Sequence, residues 1–377
     1  MPRADRPHGP LFGAALIVKD EEDVLGRCLG SIRPVVDEIV VVDTGSTDAS
    51  ISIAESFGAC VLRWEWGGDF SEARNCALDN LQSQWVLYID ADEYLAPVSR
   101  AEVERWLTDP TPHVAYRLWL RSRVGYTPYR EHRVWRNRPD IRFWGVIHES
   151  HLAAINAVAR DEGLLIGDIE LLLEHDGYEG DQGAKHDRNL PLLLAQVELD
   201  PERSYLWDHI GRIHSALGRP SEARSAWEQG RQVILRHGDT APADAAIYID
   251  LINANAIEGR PDAGLVEEAD TLFPDNVAVL WSGALDAEAR CAFDQVVERL
   301  DRLSVVGRDT AARDGLGVDE RIFGEWLFHL RGVALYKLGD RVGAARDFAA
   351  AEACDPANVE YRVKRQLAWP RSEHSGH

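Results

Sequence analysis

The first ninety residues alternate apolar runs with amphipathic segments, and this alternation constrains the fold more than any other feature of the chain. Apolar runs at 14–18, 39–42, 60–64 and 85–89 predict buried strands, and the segments 21–32, 46–57 and 70–81 between them predict helices. Continuously apolar strands separated by helices indicate a parallel sheet covered on both faces. Right-handed crossovers place the carboxyl ends of such strands on one rim, where ligands bind.

A different pattern begins near residue 114. Residues 114–120 alternate loosely, residues 130–148 predict two strands around a turn at 137–140, and residues 169–173 predict one more strand. We expect these strands to extend the sheet and to form the far wall of a cleft.

From about residue 185 the sequence predicts pairs of helices. Trp207, Gly211, Gly218, Ala223 and Trp227 fall at offsets 0, 4, 11, 16 and 20, and Phe328, Gly332, Gly339, Ala344 and Phe348 repeat those offsets. This spacing is typical of tetratricopeptide hairpins, in which small residues allow close helix packing and aromatic residues fill the groove. The intervening residues 241–300 predict helices with a degenerate form of the repeat.

The composition excludes some classes of partner. The formal net charge of −22 over 377 residues argues against binding to nucleic acid or to an anionic membrane through a basic face. The five cysteines are odd in number and scattered, which predicts neither a disulfide framework nor a structural zinc site and favours a reducing compartment. The apolar run after residue 10 is too short for a signal or membrane segment, so we expect a cytoplasmic protein without a transmembrane segment.

Two carboxylates follow the fourth predicted strand directly. Asp90 and Asp92 are separated by a single residue, and we expect the two carboxylates to have different roles. We predict that Asp92 binds a divalent cation and that Asp90 contacts a ribose or supports the metal ligand. The alternatives are a carboxylate turn and, for Glu93, simple solvation.

Two further residues near this rim are candidates for nucleotide binding. Asp43 ends the second predicted strand and either accepts a hydrogen bond from a base or ribose, or satisfies turn amides. Arg74 lies in the third predicted helix and either reaches a base or diphosphate, or forms a surface salt bridge.

The remaining candidates come after these strands. Glu149 is a candidate general base, with His148 to orient it, and His175 ends a predicted strand where it can complete a metal site. Structural roles are the alternative for each. His186 and Arg188 either face phosphates or form a solvated helix start, and Trp144 forms either a substrate wall or part of the core.

Several of these segments together resemble a known family, the family 2 glycosyltransferases of the GT-A fold. The resemblance rests on residues 18–22, 37–48, 69–75 and 90–93, with 145–149 and 185–189 similar to a subgroup that has a C-terminal tetratricopeptide region. That subgroup includes lipopolysaccharide-core β-glucosyltransferases and bacteriocin peptide S-glycosyltransferases.

The resemblance implies an inverting transfer from a nucleoside-diphosphate sugar, usually UDP-linked, with Mn²⁺ or Mg²⁺. Asp43 and Arg74 would bind the nucleotide, Asp90 its ribose side, Asp92 and His175 the metal, and Glu149 would deprotonate the acceptor. The acceptor is a peptide, a glycan or a small molecule, and the helical region either binds it or forms a homodimer. Two alternatives are a nucleotidyltransferase, disfavoured because residues 19–22 lack glycine, and a catalytically inactive adaptor that binds a peptide or protein.

We therefore predict an α/β GT-A domain, with a mixed, mainly parallel sheet and helices on both faces, followed by an all-α tetratricopeptide-like domain. The predicted boundaries are 1–10 for a flexible N-terminus, 11–183 for the catalytic domain, 184–366 for the helical domain and 367–377 for a flexible tail.

Overall fold

The structure, a computed structural model, describes residues 9–175, 183–238, 240–313, 315 and 317–369. These residues form two compact units, the first built from residues up to 124 and from 128–200, and the second from residues 125–127 and from 201 onward. The predicted flexible ends lie mostly outside the described residues, although the last helix continues to Ala368. Within the described part of the chain, no helix combines the length and apolar character needed to cross a membrane.

The first unit contains a mixed eight-stranded sheet with the strand order β3-β2-β1-β4-β7-β6-β8-β5. Its strands are β1 Phe12–Val18, β2 Glu38–Asp43, β3 Cys60–Arg63, β4 Trp85–Tyr88, β5 Glu93–Leu95, β6 His113–Arg121, β7 Tyr129–Arg136 and β8 Leu165–His175. Strands β1 to β4 pair in parallel, as the alternation of apolar runs and helices predicts. Strand β7 joins them to the rest of the sheet by pairing antiparallel with both β4 and β6.

Helices cover both faces of this sheet. The helices of the first unit are α1 Leu25–Ile32, α2 Ser50–Ser56, α3 Phe70–Asn80, α4 Arg100–Leu107, α5 Leu152–Glu162 and α6 Gly183–Leu199. Alternate residues of β2 belong to different cores, because Ile39 and Val41 pack with α1 while Val40 and Val42 pack with α3. A strand whose side chains are buried on both faces reads as a continuous apolar run, and the predicted fold class is therefore confirmed.

Of the two strands predicted within residues 130–148, the second, at 141–147 after the turn, is wrong. Its residues form a loop in which only an isolated bridge joins Trp144 to Ser150. Gly145 has φ +107° and His148 has φ +50°, and such left-handed backbone cannot continue a strand. The short strand β5 and the helices α4 and α5 were not predicted from the sequence.

The longer secondary-structure elements described in the second unit are all helices. Its helices are α7 Ser204–Ala216, α8 Pro220–His237, α9 Ala245–Ile257, α10 Ala263–Leu272, α11 Val277–Ala289, α12 Phe293–Arg313, α13 Glu325–Leu338, α14 Arg341–Cys354 and α15 Val359–Ala368. Helix α12 is interrupted at Gly307, where φ is +69°. The two predicted repeats correspond to the antiparallel pairs α7–α8 and α13–α14.

Glycine and aromatic residues pack against each other in both repeats. A Cβ atom at Gly211 would lie 2.3 Å from the Trp227 indole nitrogen, and one at Gly332 would lie 2.9 Å from the Phe348 ring. Such distances leave no room for a side chain larger than hydrogen, which is why the offsets pair glycine with an aromatic residue. Gly339, which ends α13 at φ +90°, provides the left-handed turn between helices.

Gly211→Ala tests this packing. We expect it to lower the free energy of unfolding by about 1–3 kcal/mol, because the new methyl group overlaps the buried Trp227 ring. The matched control is Gly264→Ala in α10, where the nearest atom to the added Cβ is 3.4 Å away. Urea unfolding followed by circular dichroism measures both, and equal stability of Gly211→Ala and wild type would contradict the proposed packing.

Candidate functional site

The carboxyl ends of β1, β2 and β4 meet at one rim of the sheet. Strand β1 lies between β2 and β4 and pairs in parallel with both, so Asp43 at the end of β2 and Asp90 after β4 lie at the same edge. The loops after β1 and β2 are also bonded together, since the Asp20 amide donates to Ser46 Oγ at 2.9 Å. The rim therefore gathers the acidic residues that the sequence singled out.

Asp43 is buried at this rim, with 4% of its surface exposed. Its carboxylate accepts the backbone amides of Gly45 and Ser46 at 3.2 Å, which is the turn-stabilising role given as one alternative. A carboxylate has about four lone-pair positions, so these bonds do not prevent a further donor from binding.

Asp90 is held by three side chains. Arg74 donates to its Oδ1 at 3.0 Å, Tyr88 donates to its Oδ2 at 3.1 Å, and Arg133 lies 3.7 Å from Oδ2. Burial opposes the charged form of Asp90, but Arg74 and Arg133 outweigh it and hold its pKa below the usual value. Asp90 is therefore an anion whose orientation is fixed before any ligand arrives.

Tyr88 lies between the two arginines. Each guanidinium carbon is 4.3 Å from the centre of the Tyr88 ring, a geometry that combines stacking with cation–π attraction. Arg133 also donates to Glu93 at 2.8 Å. Glu93 is 3% exposed, so the solvated interpretation of this residue is wrong, and burial raises its pKa to about 7 although Arg133 opposes the shift.

Sequence reasoning missed Arg133 and its pairing with Glu93. A signal was present, because Arg133 directly precedes the apolar residues Val134 and Trp135 in a segment that the sequence predicts as a strand. A charged residue in such a position must find an opposite charge. The partner was not identifiable, since Glu93 is forty residues away in the chain.

Glu149 is also directed inward at this rim. Its side chain is 8% exposed, and its Oε1 pairs with Nε of Arg74. Arg74 therefore joins Asp90 and Glu149, and the surface salt bridge given as its alternative is wrong, because the guanidinium is itself nearly buried.

Trp144 lies on the same loop as Glu149 and is 61% exposed. This exposure excludes the interpretation of Trp144 as a core residue.

Asp92 and His175 meet beside Asp90. Strand β5 pairs antiparallel with β8, and His175 Nε2 lies 3.1 Å from Asp92 Oδ2. The hydrogen bond with Asp92 raises the pKa of His175, while burial opposes this shift. Within the described residues no group of three or more His, Cys, Asp or Glu side chains is placed to hold a metal ion.

Glu21, in the loop after β1, extends this acidic rim. Burial raises its pKa, and the nearby Asp92 carboxylate raises it further, while Lys185 at the start of α6 lowers it. The sequence gave no reason to distinguish Glu21 from its acidic neighbours.

Arg188, also in the first turns of α6, is exposed and lies 5.5 Å from the Phe70 ring.

Comparison with known proteins agrees with this architecture. Residues 14–163 match the family described as Glycosyl transferase family 2. A TPR repeat-containing protein of Synechococcus elongatus is 34% identical, over 60% of this chain and 57% of the relative. The SPbeta prophage-derived glycosyltransferase SunS of Bacillus subtilis is 26% identical, over 57% of this chain and 51% of the relative. The matches thus span about half the length of these curated relatives.

One similar solved structure is glucosyl-3-phosphoglycerate synthase from Mycobacterium tuberculosis in complex with Mn²⁺ and UDP-glucose. It is 17% identical, covers 50% of this chain and 78% of that chain, and has a TM-score of 0.38. From the family match, the first unit contains a family 2 glycosyltransferase domain.

Arg133→Met tests the buried charge network. We expect a loss of about 3–5 kcal/mol in the free energy of unfolding, because Glu93 stays buried without its cation. Adding Glu93→Gln should recover part of this loss by removing the unpaired charge. The control is Arg117→Met, which breaks the exposed Arg117–Asp168 pair and should cost less than about 1 kcal/mol. Urea unfolding at pH 7.5 measures wild type and the three variants, and a fully stable Arg133→Met would show that the network is not needed.

Proposed function

We propose that this protein is an inverting glycosyltransferase that moves a hexose from a UDP-linked sugar to an acceptor in a single displacement. The observation that carries the proposal is the Asp92–His175 pair, which lies beside the fixed Asp90 carboxylate at the strand rim of a family 2 glycosyltransferase domain. Ligands of parallel α/β sheets bind at this rim.

The Asp92–His175 pair has the chemistry of a divalent metal site. A carboxylate oxygen and an imidazole nitrogen 3.1 Å apart suit Mn²⁺, and Mg²⁺ is the alternative for a site rich in oxygen ligands. Two protein ligands leave coordination positions for substrate oxygens. When bound, the ion would neutralise the negative charge that develops on the leaving diphosphate.

Asp43 and Asp90 are proposed to bind the nucleoside. The Asp43 carboxylate accepts a hydrogen bond from the base, in addition to the hydrogen bonds that it accepts from two turn amides. Asp90 accepts a ribose hydroxyl at a lone-pair position that its hydrogen bonds from Arg74 and Tyr88 leave available. Arg74 connects Asp90 to Glu149, because its guanidinium pairs with both carboxylates.

Glu149 is proposed as the general base. Arg74 binds its Oε1, so Oε2 is the atom that takes the proton from the acceptor. The Glu149 carboxylate is nearly buried and paired with Arg74, so its orientation is fixed, which reduces the reorganisation needed for proton transfer. The exposed Trp144 on the same loop provides an apolar surface on which an acceptor can pack.

The adaptor hypothesis remains the second candidate, because the relative from Synechococcus elongatus is described by its repeats. In that case the helical unit binds a peptide or protein and the rim residues have only structural roles. Nucleotide binding separates the two hypotheses.

Titration calorimetry of UDP, GDP and dTDP with and without MnCl₂ tests the donor site. We expect UDP to bind only with Mn²⁺, and we expect Asp92→Ala to weaken this binding roughly tenfold or more, because a metal ligand is lost. The matched control is Asp79→Ala, which removes an exposed carboxylate paired with Arg142. If a folded wild-type protein binds none of the three nucleotides, the glycosyltransferase proposal fails and the adaptor hypothesis is favoured.

A further inference from the structure

Residues at the start of α3 form hydrogen bonds to the loop that carries Glu149. We call residues 143–150 the base loop. The Asn75 amide exchanges two hydrogen bonds of 2.9 Å with the backbone of Phe143, and Ser71 Oγ donates to the Gly145 carbonyl at 2.6 Å. The Phe70 amide donates to the Val146 carbonyl at 2.9 Å. The start of α3 therefore determines where the base loop lies.

Arg74 lies among these attachments, on the same helix. Its side chain is 10% exposed, and its Nε donates to Oε1 of Glu149. Its terminal nitrogen donates to Asp90 at 3.0 Å. A planar guanidinium can bind two carboxylates at once through different N–H groups, whereas the ammonium of lysine is a single point of charge.

Two aromatic rings fix the plane of this guanidinium. Its central carbon is 4.3 Å from the centre of the Tyr88 ring and 5.6 Å from that of Phe143, which is itself a base-loop residue. With rings nearby and carboxylates on two of its nitrogens, Arg74 has little surface left for direct contact with a nucleotide. Asp90, by contrast, would keep Tyr88 and Arg133 as partners if Arg74 were replaced.

We infer that Arg74 is a positioning residue that holds Glu149 in line with the donor half of the site, rather than a residue that binds the nucleotide. This inference rests on the proposed function. In the step concerned, the acceptor proton passes to Glu149 Oε2 while the acceptor atom forms its bond to the anomeric carbon. The bond from that carbon to the diphosphate oxygen breaks, and its electron pair leaves with the nucleoside diphosphate.

The two roles of Arg74 predict different kinetic results. The proteins to compare are wild type, Arg74→Lys, Arg74→Gln, Glu149→Gln and the double variant Arg74→Gln/Glu149→Gln. The control is Arg117→Gln, which breaks the exposed pair with Asp168. The probes are UDP with MnCl₂ for binding and UDP release from UDP-glucose, with water as the acceptor, for turnover.

If Arg74 positions Glu149, Arg74→Gln keeps the UDP dissociation constant within about threefold, while kcat for UDP release falls roughly 100-fold, the typical cost of a misplaced catalytic group. The double variant should be no slower than Glu149→Gln, because both changes remove the same function. Arg74→Lys should restore little of the lost kcat, because lysine cannot bind two carboxylates in the same way. Loss of UDP binding in Arg74→Gln, or unchanged kcat, overturns the inference.

A second measurement does not depend on activity. Amide hydrogen exchange of the base loop in the nucleotide-free protein should become faster in Arg74→Gln and Glu149→Gln, and should not change in Arg117→Gln. Exchange that stays at the wild-type rate in Arg74→Gln contradicts the positioning role. Absence of UDP binding by wild type would instead refute the proposed function. Failure of the positioning role and failure of the proposed function therefore give different results.

Discussion

The arrangement of charges around Asp90 is the constraint on which the rest of the site depends. Two arginines, one tyrosine and three carboxylates lie close together at the end of β4, where most of their surface is removed from water. A charge in such surroundings is tolerated only when opposite charges and hydrogen bonds compensate it. Each member therefore restricts its neighbours, and the carboxylates keep fixed directions without a ligand.

This network also links parts of the chain that are far apart in sequence. Arg74 comes from the third helix, Arg133 from a strand that runs antiparallel to β4, and Glu149 from the loop that follows. The pairing of β5 with β8 adds His175 to Asp92. A rigid sheet with such pairings places side chains more accurately than loops alone, which suits the proposed site, where a donor and an acceptor would be held in line.

Features of the fold with a local signal were predictable from the sequence. The strands β1, β2 and β4 are apolar and largely buried because helices cover both faces of the sheet. The repeats were recognisable because Gly211 must accommodate the Trp227 ring. Pairings between distant residues were not predictable. Glu149 was proposed as a base, but its ion pair with Arg74 spans 75 residues, and neither sequence segment contains information about the other. The segment 141–147 was predicted as a strand because it follows a turn at 137–140, yet the left-handed backbone at Gly145 and His148 gives a loop instead.

In the proposed function, the rim of the sheet holds a metal and a nucleoside diphosphate together. A crystal structure of the protein grown with UDP and MnCl₂ tests this most directly, since anomalous scattering identifies manganese. We expect manganese bonded to Asp92 and His175, the diphosphate on the same ion, and the base beside Asp43. Manganese and UDP bound elsewhere, or a rim that stays empty of both at saturating concentrations, would contradict it.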